Sequence, residues 1–125
     1  MIYNEIYRIK FYRNSRTGQR PIRDYIDNLD LNQRTKIYKY LEFLRSRSGY
    51  LDEPYSRHIT GGIRELRVDF SNCHHRILYF CFVGKNVVIL HAFLKKTGKT
   101  SHREINIALN RYYEIINHSA ELYEE

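Results

Sequence analysis

The stretch that decides the fold runs from Ile63 to Leu94 and reads IRELRVDFSNCHHRILYFCFVGKNVVILHAFL. It contains three apolar segments of strand length with polar residues between them, a pattern that predicts consecutive β-strands. The segments are Ile63–Phe70, His75–Val83 and Val87–Leu94.

The three segments differ in how their apolar residues are arranged. The first alternates, so Glu65, Arg67 and Asp69 share one face, opposite Leu66, Val68 and Phe70. The other two are apolar on both faces, as is typical of central strands. Gly84-Lys85-Asn86 predicts a tight hairpin link between them.

The residues before this stretch predict one strand and two helices. Tyr7–Tyr12 alternates between apolar and polar residues, which indicates a strand. Pro21 suits the first turn of a short helix whose apolar positions are Ile22, Tyr25, Ile26 and Leu29. Asp30 and Gln33 have capping-box spacing and begin a second helix, with Ile37, Leu41 and Leu44 buried and Gly49 at its end. Residues 50–62 contain Pro54 and two glycines and predict a loop.

The residues after the stretch predict a final helix. Ser101 and Glu104 again have capping-box spacing, and the expected buried face is Ile105, Leu109, Tyr112 and Ile116. We expect residues 117–125 to form an acidic, frayed tail. The whole chain, 1–125, is then one α+β domain with a core at about 6–116. We expect a two-layer arrangement, in which two helices from the N-terminal half pack on a small, mostly antiparallel four-stranded sheet. A C-terminal helix completes the domain.

Length and composition exclude several classes of protein. A chain of 125 residues is one domain, and none of its apolar runs is long enough to span a bilayer or to form a signal peptide. We therefore expect a cytoplasmic protein with no membrane partner. Cys73 and Cys81 are expected to be reduced thiols, with a hairpin disulfide between them as the alternative.

The positive charge is concentrated in one part of the chain. Nine basic and two acidic residues lie between Arg57 and Arg103, so this window carries the whole net charge of +7. Such segregation favours a polyanionic partner, usually nucleic acid. A basic surface that serves only solubility is the alternative.

Arg76 lies on an apolar strand and therefore needs an anionic partner, because an unpaired buried charge is costly. The partner is either internal, Asp69 or Glu65, or a bound phosphate, and the scarcity of acids favours phosphate. Lys95 and Lys96 directly follow the last strand. Because successive residues of a strand face opposite ways, the two lysines cannot both lie on one solvated side.

The histidines suggest different roles. His91, in a strand and expected to share a face with Val87 and Ile89, is predicted to be a hydrogen-bonded core residue. His102, at the start of the last helix, could donate a proton to a leaving oxygen. Glu65 balances charge or acts as a general base. A zinc site could be formed only by Cys73, His74, His75 and Cys81, and their spacing matches no common tetrahedral zinc motif. We therefore predict no metal and no cofactor.

Four segments together resemble the HigB-like branch of the RelE toxin superfamily, over about residues 6–116. They are GGIRELR at 61–67, RILYF at 76–80, HAFLKKTGKT at 91–100 and Glu104-Ile105. The resemblance implies a type II toxin that enters the ribosomal A site and cuts messenger RNA without a metal. The ribose 2′-hydroxyl attacks the neighbouring phosphate, and a cognate helix-turn-helix antitoxin blocks the toxin.

The resemblance also assigns residues. The catalytic cations fall on Arg67, Arg76, Lys95 and Lys96, of which Arg76 and Lys96 are expected to clamp the scissile phosphate. The family position for the general acid falls on or near His102, where this branch commonly has proline, so Lys95, His91 or the ribosome are the alternatives. Glu65 is a candidate for the base, although many relatives differ at that position. Further contacts to RNA are expected from four residues, Arg64, His91, Lys99 and Arg103.

Three other functions remain open for this fold. A sister branch inhibits DNA gyrase and lacks the catalytic cations, so the presence of all four argues against it. The others are an RNA-binding module without catalysis and an antitoxin-paired operon repressor. The endoribonuclease interpretation requires Arg76, Lys95 and Lys96 to converge on one pocket sized for a phosphodiester.

Overall fold

The computed structural model describes residues 6–82, 84–96, 98–118 and 123–124. They form an α+β domain in which one six-stranded sheet has the order β2-β3-β4-β5-β1-β6. All strand pairs are antiparallel except β1 with β5, so the sheet is mostly antiparallel as expected. The elements in chain order are β1 Arg8–Tyr12, α1 Pro21–Asp27, α2 Leu31–Ser46, β2 Ser56–Thr60, β3 Ile63–Phe70, β4 Cys73–Phe82, β5 Asn86–Leu94, α3 His102–His118 and β6 Tyr123–Glu124.

The four predicted strands are present, and two strands were missed. β2 lies where a loop was predicted, because its residues do not alternate and the pairing of Ser56–Thr60 with β3 supplies what the local sequence lacks. β6 lies in the tail that was expected to fray, and it pairs with Phe11 and Tyr12 of β1. Residues 119–122 and 125 of that tail lie outside the described residues.

The sheet is covered by helices on both faces, which corrects the two-layer expectation. Tyr25 of α1 bonds to His75, whereas Tyr112 of α3 packs edge-on against Phe80, at a ring distance of 4.8 Å. His75 and Phe80 are an odd number of residues apart in β4 and therefore point to opposite faces. We call these faces the α1–α2 face and the α3 face.

Helices α1 and α2 form as the sequence predicts. Pro21 is the first residue of α1, and Ile22 and Ile26 are fully buried. The Asp30 carboxylate accepts hydrogen bonds from both the backbone and the side-chain nitrogen of Gln33, each at 2.9 Å, which closes the predicted capping box. The predicted stripe of α2 is buried, and it packs on the α1–α2 face.

Gly49 follows α2 in a left-handed conformation with φ of 81°. Its amide donates to the Leu44 carbonyl at 2.8 Å and so satisfies a carbonyl at the helix end. A Cβ at this position would lie 2.3 Å from the Sγ of Cys81. Only glycine therefore fits here, and it allows the end of α2 to approach β4 closely.

Strand β5 contains a bulge next to Leu90. Leu78 pairs with His91 but Tyr79 pairs with Ile89, so β5 has one extra residue at this point. Because of this extra residue, the side chains of β5 after the bulge lie on the face opposite to the one that regular alternation would give them. This corrects the expectation that His91 shares a face with Val87 and Ile89: His91 lies on the α3 face, and they lie on the α1–α2 face.

Helix α3 is held to the sheet largely by polar contacts. Arg111 donates to the Leu90 carbonyl at 2.9 Å, and Tyr12 donates to Glu114 at 2.9 Å. The fully buried apolar residues of α3 are Ala108 and Ile115. In the predicted stripe, Leu109 and Tyr112 are partly buried and pack against the core, and Ile105 is partly buried. Ile116 is exposed, so its predicted burial was wrong.

Two further expectations concern the cysteines and the membrane. Cys73 and Cys81 lie near opposite ends of β4 and are free thiols, so the disulfide alternative is wrong. In the described part of the chain, no helix combines the length and the apolar character that a bilayer span requires.

Candidate active site

The α3 face carries three rows of side chains that run across strands β3, β4 and β5. The register aligns Glu65 with Leu78 and His91 in the first row, and Arg67 with Arg76 and Phe93 in the second. The third row aligns Asp69 with His74 and extends to Lys95, whose backbone N–H donates to the His74 carbonyl at 2.8 Å. Charged and titratable side chains from three strands therefore meet at one end of the sheet.

An open groove of about 430 Å³ lies over the second and third rows. Its walls combine four cationic side chains, one carboxylate, one histidine and a glycine of the β5–α3 loop. The lining residues are Arg67, Asp69, His74, Arg76, Lys95, Lys96 and Gly98. We call this the cation groove. The structure thus brings all four predicted catalytic cations together.

Arg76 is held rigidly in the floor of the cation groove. It is 3% exposed, and its Nη1 donates to Asp69 Oδ1 at 2.8 Å and to the His75 carbonyl at 3.0 Å. The sequence favoured a phosphate over an internal partner, and the structure corrects this: Asp69 supplies a carboxylate. The Asp69 carboxylate and the His75 carbonyl both accept from the same nitrogen and so orient the whole guanidinium group. One carboxylate does not neutralise the positive charge of the groove.

Several polar atoms of the cation groove lack a protein partner. The Nε atoms of Arg67 and Arg76 are buried and have no hydrogen-bond acceptor among the described residues. Within the same residues, no carboxylate lies within ion-pair distance of Arg67, Lys95 or Lys96. Because buried donors are normally satisfied, this arrangement favours an anionic ligand.

Lys95 occupies the centre of the positive region. Besides the cation groove, it borders two further cavities of about 270 and 230 Å³. Partial burial lowers the pKa of Lys95, and the neighbouring charges of Arg76 and Arg67 lower it further. A lowered pKa makes its ammonium group a stronger proton donor near neutral pH.

Glu65 borders the 230 Å³ cavity together with Lys95 but does not border the cation groove. Its side chain is 1% exposed, and one carboxylate oxygen accepts a hydrogen bond from the Thr100 hydroxyl. Thr100 belongs to the loop between β5 and α3, so this bond ties the lysine-bearing loop to β3. Fixing the loop is the role that the structure supports for Glu65, more directly than the predicted role of general base.

Asp69 and His74 were not selected as a functional pair by the sequence. His74 Nδ1 donates to Asp69 Oδ1 at 3.0 Å, and both side chains are about half exposed at the edge of the cation groove. Partial burial tends to raise the pKa of Asp69, but the hydrogen bonds from Arg76 and His74 outweigh it, and the pKa is lowered. The sequence feature that could have drawn attention to Asp69 is the alternation of β3, which places Asp69 on the same face as Arg67.

His91 is a hydrogen-bonded residue, as its strand position predicted, and its expected contact with RNA stays a prediction. Its Nε2 donates to Glu104 at 2.8 Å, and its Nδ1 accepts from Arg111 at 3.4 Å. Burial lowers the pKa of His91, and the hydrogen bond to Glu104 opposes this effect. The neutral ring therefore links β5 to α3 and does not border the cation groove.

The remaining predicted residues divide between the two faces. Lys99 and Arg103 are exposed and border the 270 Å³ cavity beside Lys95 and Lys96. His102 is exposed at the start of α3 but borders neither this cavity nor the cation groove, so the structure does not bring it to the cations. Arg64 pairs with Tyr79 on the α1–α2 face and lies 4.6 Å from the Tyr50 ring, so the structure does not bring it to the cation groove, and its contact with RNA stays a prediction.

The described residues contain no group of three His, Cys, Asp or Glu side chains that could hold a metal ion. His75, a member of the zinc alternative, is 1% exposed and has both ring nitrogens engaged. Tyr25 donates to its Nδ1 at 2.7 Å, and its Nε2 donates to Gln33 at 2.6 Å.

Comparison with known proteins identifies the family. Residues 24–113 match the family described as phage-derived protein Gp49-like, and the chain belongs to that family. It is a HigB-like member of the RelE superfamily, which confirms the resemblance seen in the sequence. Two relatives, each named "Probable endoribonuclease HigB1", come from two strains of Mycobacterium tuberculosis. Each is 33% identical over 102 residues, which cover 82% of this chain and 79% of the relative.

Proposed function

We propose that this protein is the toxin of a type II toxin–antitoxin pair and cuts messenger RNA on the ribosome. The observation that carries the proposal is the cation groove, in which Arg67, Arg76, Lys95 and Lys96 meet and only Asp69 opposes them. The name of the M. tuberculosis relatives supports an endoribonuclease activity. The reaction is attack of the 2′-hydroxyl on the adjacent phosphate, for which the protein needs no metal.

The groove fits the charge that develops in this reaction. Attack on the phosphodiester produces a crowded dianionic transition state, which fixed cations stabilise more than they stabilise the substrate. Arg76 is oriented in advance by Asp69 and the His75 carbonyl, so little reorganisation is needed when the phosphate binds. Lys96 is exposed at the rim and can close on a second phosphate oxygen.

The adjoining cavity extends the positive surface beyond the scissile phosphate. Lys99 and Arg103 border it together with Lys96. Because exposed cations near RNA interact mainly with the backbone, these two residues position the strand without selecting a base sequence. The proposed path of the RNA thus runs from the cation groove toward the start of α3.

Lys95 is our candidate for the general acid. It borders the groove, unlike His91 and His102, and its lowered pKa suits proton donation. Protonation of the 5′-oxygen by the Lys95 ammonium lets that oxygen leave. Glu65 contributes by fixing the loop that carries the lysines.

The direct test is cleavage of a defined messenger RNA by the purified protein on programmed ribosomes. We expect new 5′ ends within the reading frame, with the same yield when the protein is treated with a chelator and freed of it before it is added to the ribosomes. The Arg76→Ala/Lys96→Ala double variant should leave the transcript intact. The matched control is Arg34→Ala/Lys39→Ala, which also removes two positive charges, both from helix α2, and should cut normally.

Two results contradict the proposal in different ways. An intact transcript with the wild-type protein, together with RNA binding, indicates a binding module. Growth arrest that persists in the Arg76→Ala/Lys96→Ala variant indicates a gyrase-type target. Either result leaves the fold assignment unchanged.

We further propose an antitoxin partner, of the helix-turn-helix class, that covers the cation groove with acidic residues. High salt should then weaken the complex strongly, because screening reduces attraction between exposed charges. A salt-insensitive complex points instead to the aromatic groove of about 370 Å³ beside α2, where Phe43 and Tyr55 are about half exposed.

A further inference from the structure

His74 and Asp69 form a dyad of the kind that activates a histidine as a base. The Nδ1–H of His74 is donated to the carboxylate at 3.0 Å, which fixes the ring orientation and the tautomer. In the neutral ring, Nε2 then carries the free lone pair. The His74 side chain is 47% exposed, so this nitrogen is accessible to a ligand.

The position of the dyad matters as much as its geometry. His74 lies between Asp69 and Lys95 in the third row, and all three border the cation groove. Side chains of cross-strand neighbours begin about 5 Å apart at Cβ. A phosphodiester held by Arg76 in the adjacent row is therefore within reach of both His74 and Lys95.

We propose that His74 is the general base of the cleavage reaction. The proposal rests on the endoribonuclease function proposed above and assigns the one role that function left unfilled. His74 Nε2 takes the proton of the 2′-hydroxyl while the 2′-oxygen forms a bond to phosphorus. The bond from phosphorus to the 5′-oxygen breaks, and the Lys95 ammonium gives its proton to that oxygen. The products are a 2′,3′-cyclic phosphate and a 5′-hydroxyl.

His74 fits this role better than the other candidates for the base. Glu65 is buried, its carboxylate is bonded to Thr100, and it does not border the cation groove. His102 does not border the cation groove. Asp69 is turned toward Arg76 and His74, and its lowered pKa makes it a weak base.

The experiment measures single-turnover cleavage on programmed ribosomes with two messenger RNAs. One carries a normal phosphodiester, and the other a bridging sulfur in place of the scissile 5′-oxygen. The informative variant is His74→Asn, whose amide N–H can still donate to Asp69 while the basic nitrogen is lost. We expect it to cut the normal substrate about 100-fold more slowly than wild type.

The sulfur substrate separates the base from the acid. A thiolate leaves without a proton, so this substrate should restore most of the rate to Lys95→Ala but not to His74→Asn. Added imidazole should partly restore cleavage by His74→Ala, because it can replace the missing base. Rescue of His74→Asn by the sulfur substrate overturns the assignment, since His74 is then the acid.

Asp69 is a positioning residue in this scheme, and a double-mutant cycle tests it. If Asp69 acts through His74, the His74→Asn change should cost less in an Asp69→Asn background than in wild type. Additive effects contradict that coupling and assign Asp69 to Arg76 alone.

The proposal and the function beneath it fail differently. If wild type cleaves and His74→Asn cleaves within about threefold of it, His74 is not the base and the endoribonuclease function stands. If wild type cleaves neither substrate, the endoribonuclease function itself is wrong. Circular dichroism and thermal unfolding of each variant establish that it is folded before its rate is compared.

Discussion

His74 and His75 are neighbours in β4, yet they lie in opposite environments. His75 faces α1 and α2, is 1% exposed, and is hydrogen-bonded through both ring nitrogens to neutral partners, Tyr25 and Gln33. His74 faces the cation groove, is about half exposed, and has one ring nitrogen on a carboxylate. The same residue type therefore forms buried structural hydrogen bonds on one face and is a candidate reactive group on the other.

The comparison extends to the two faces of the sheet. On the α1–α2 face, burial raises the pKa of Tyr25 to about 12 and lowers that of His75, so this polar cluster stays neutral. On the α3 face, Arg76 is equally buried but charged, and further cations surround it. The Tyr25, His75 and Gln33 side chains on the α1–α2 face form hydrogen bonds with one another, whereas the arginines on the α3 face keep donors that a ligand can use.

The largest expected effect is the loss of cleavage in Arg76→Ala. Removing one fixed donor to the transition state should lower the rate by about 10²–10³-fold. Arg76→Lys should recover only part of it, because an ammonium group cannot bind two oxygens in one plane. The measurement is single-turnover cleavage on programmed ribosomes. A loss below about fivefold for Arg76→Ala contradicts the assignment of this face as the catalytic one.

The next effect concerns stability on the opposite face. His75→Phe should lower the free energy of unfolding by about 2 kcal/mol, because the Tyr25 hydroxyl and Gln33 lose their buried partner. Chemical denaturation measures this change. Cleavage at a temperature where the variant is folded should change little. A large rate loss without a stability loss reverses the division of roles between the faces.

The third prediction is a pH dependence of stability. Burial lowers the pKa of both His75 and His91, so each binds fewer protons in the folded state than in the unfolded state. The free energy of unfolding should therefore fall as pH decreases from about 7 to 5. Denaturation at several pH values tests this, and His75→Phe should show a shallower decline. A flat profile in wild type contradicts the burial of the neutral rings.

The smallest expected effect is that of Arg64→Ala. Arg64 stacks on Tyr50 and donates to Ser56 at 3.1 Å on the α1–α2 face, so its loss should cost about 1 kcal/mol of stability. Its cleavage rate should stay within about twofold of wild type. A rate loss comparable to that of Arg76→Ala implies that RNA contacts both faces.

Local pattern predicted most of the fold. The capping boxes at Asp30 and Ser101, the proline at the start of α1 and the alternation of β3 are short-range signals, and the structure contains the corresponding elements. β2 was missed because its pairing with β3, and not its own residues, makes it a strand. The exposure of Ile116 was missed because the hydrogen bonds that hold α3, from Arg111 to the Leu90 carbonyl and from Tyr12 to Glu114, are long-range.

The site could be predicted only in part. The concentration of charge and the family resemblance identified the cations that line the cation groove, but that Arg67 and Arg76 share a face follows from the β3–β4 register, which spacing does not give. Which residues pair could not be read from spacing, since Asp69 reaches Arg76 across the β3–β4 hairpin. His102 was favoured over His74 because it lies close to the lysines in sequence, whereas proximity in the sheet depends on register.

The bulge beside Leu90 has a consequence for the lysines that follow it. It determines that Lys95, and not Lys96, lies in the row of His74 on the α3 face. Apolar substitutions at the buried positions Ala92 and Phe93 should therefore be tolerated far better than a change in the length of this segment. Inserting or deleting one residue there would turn Lys95 away from the row of His74 and remove it from the groove, even if the protein still folded.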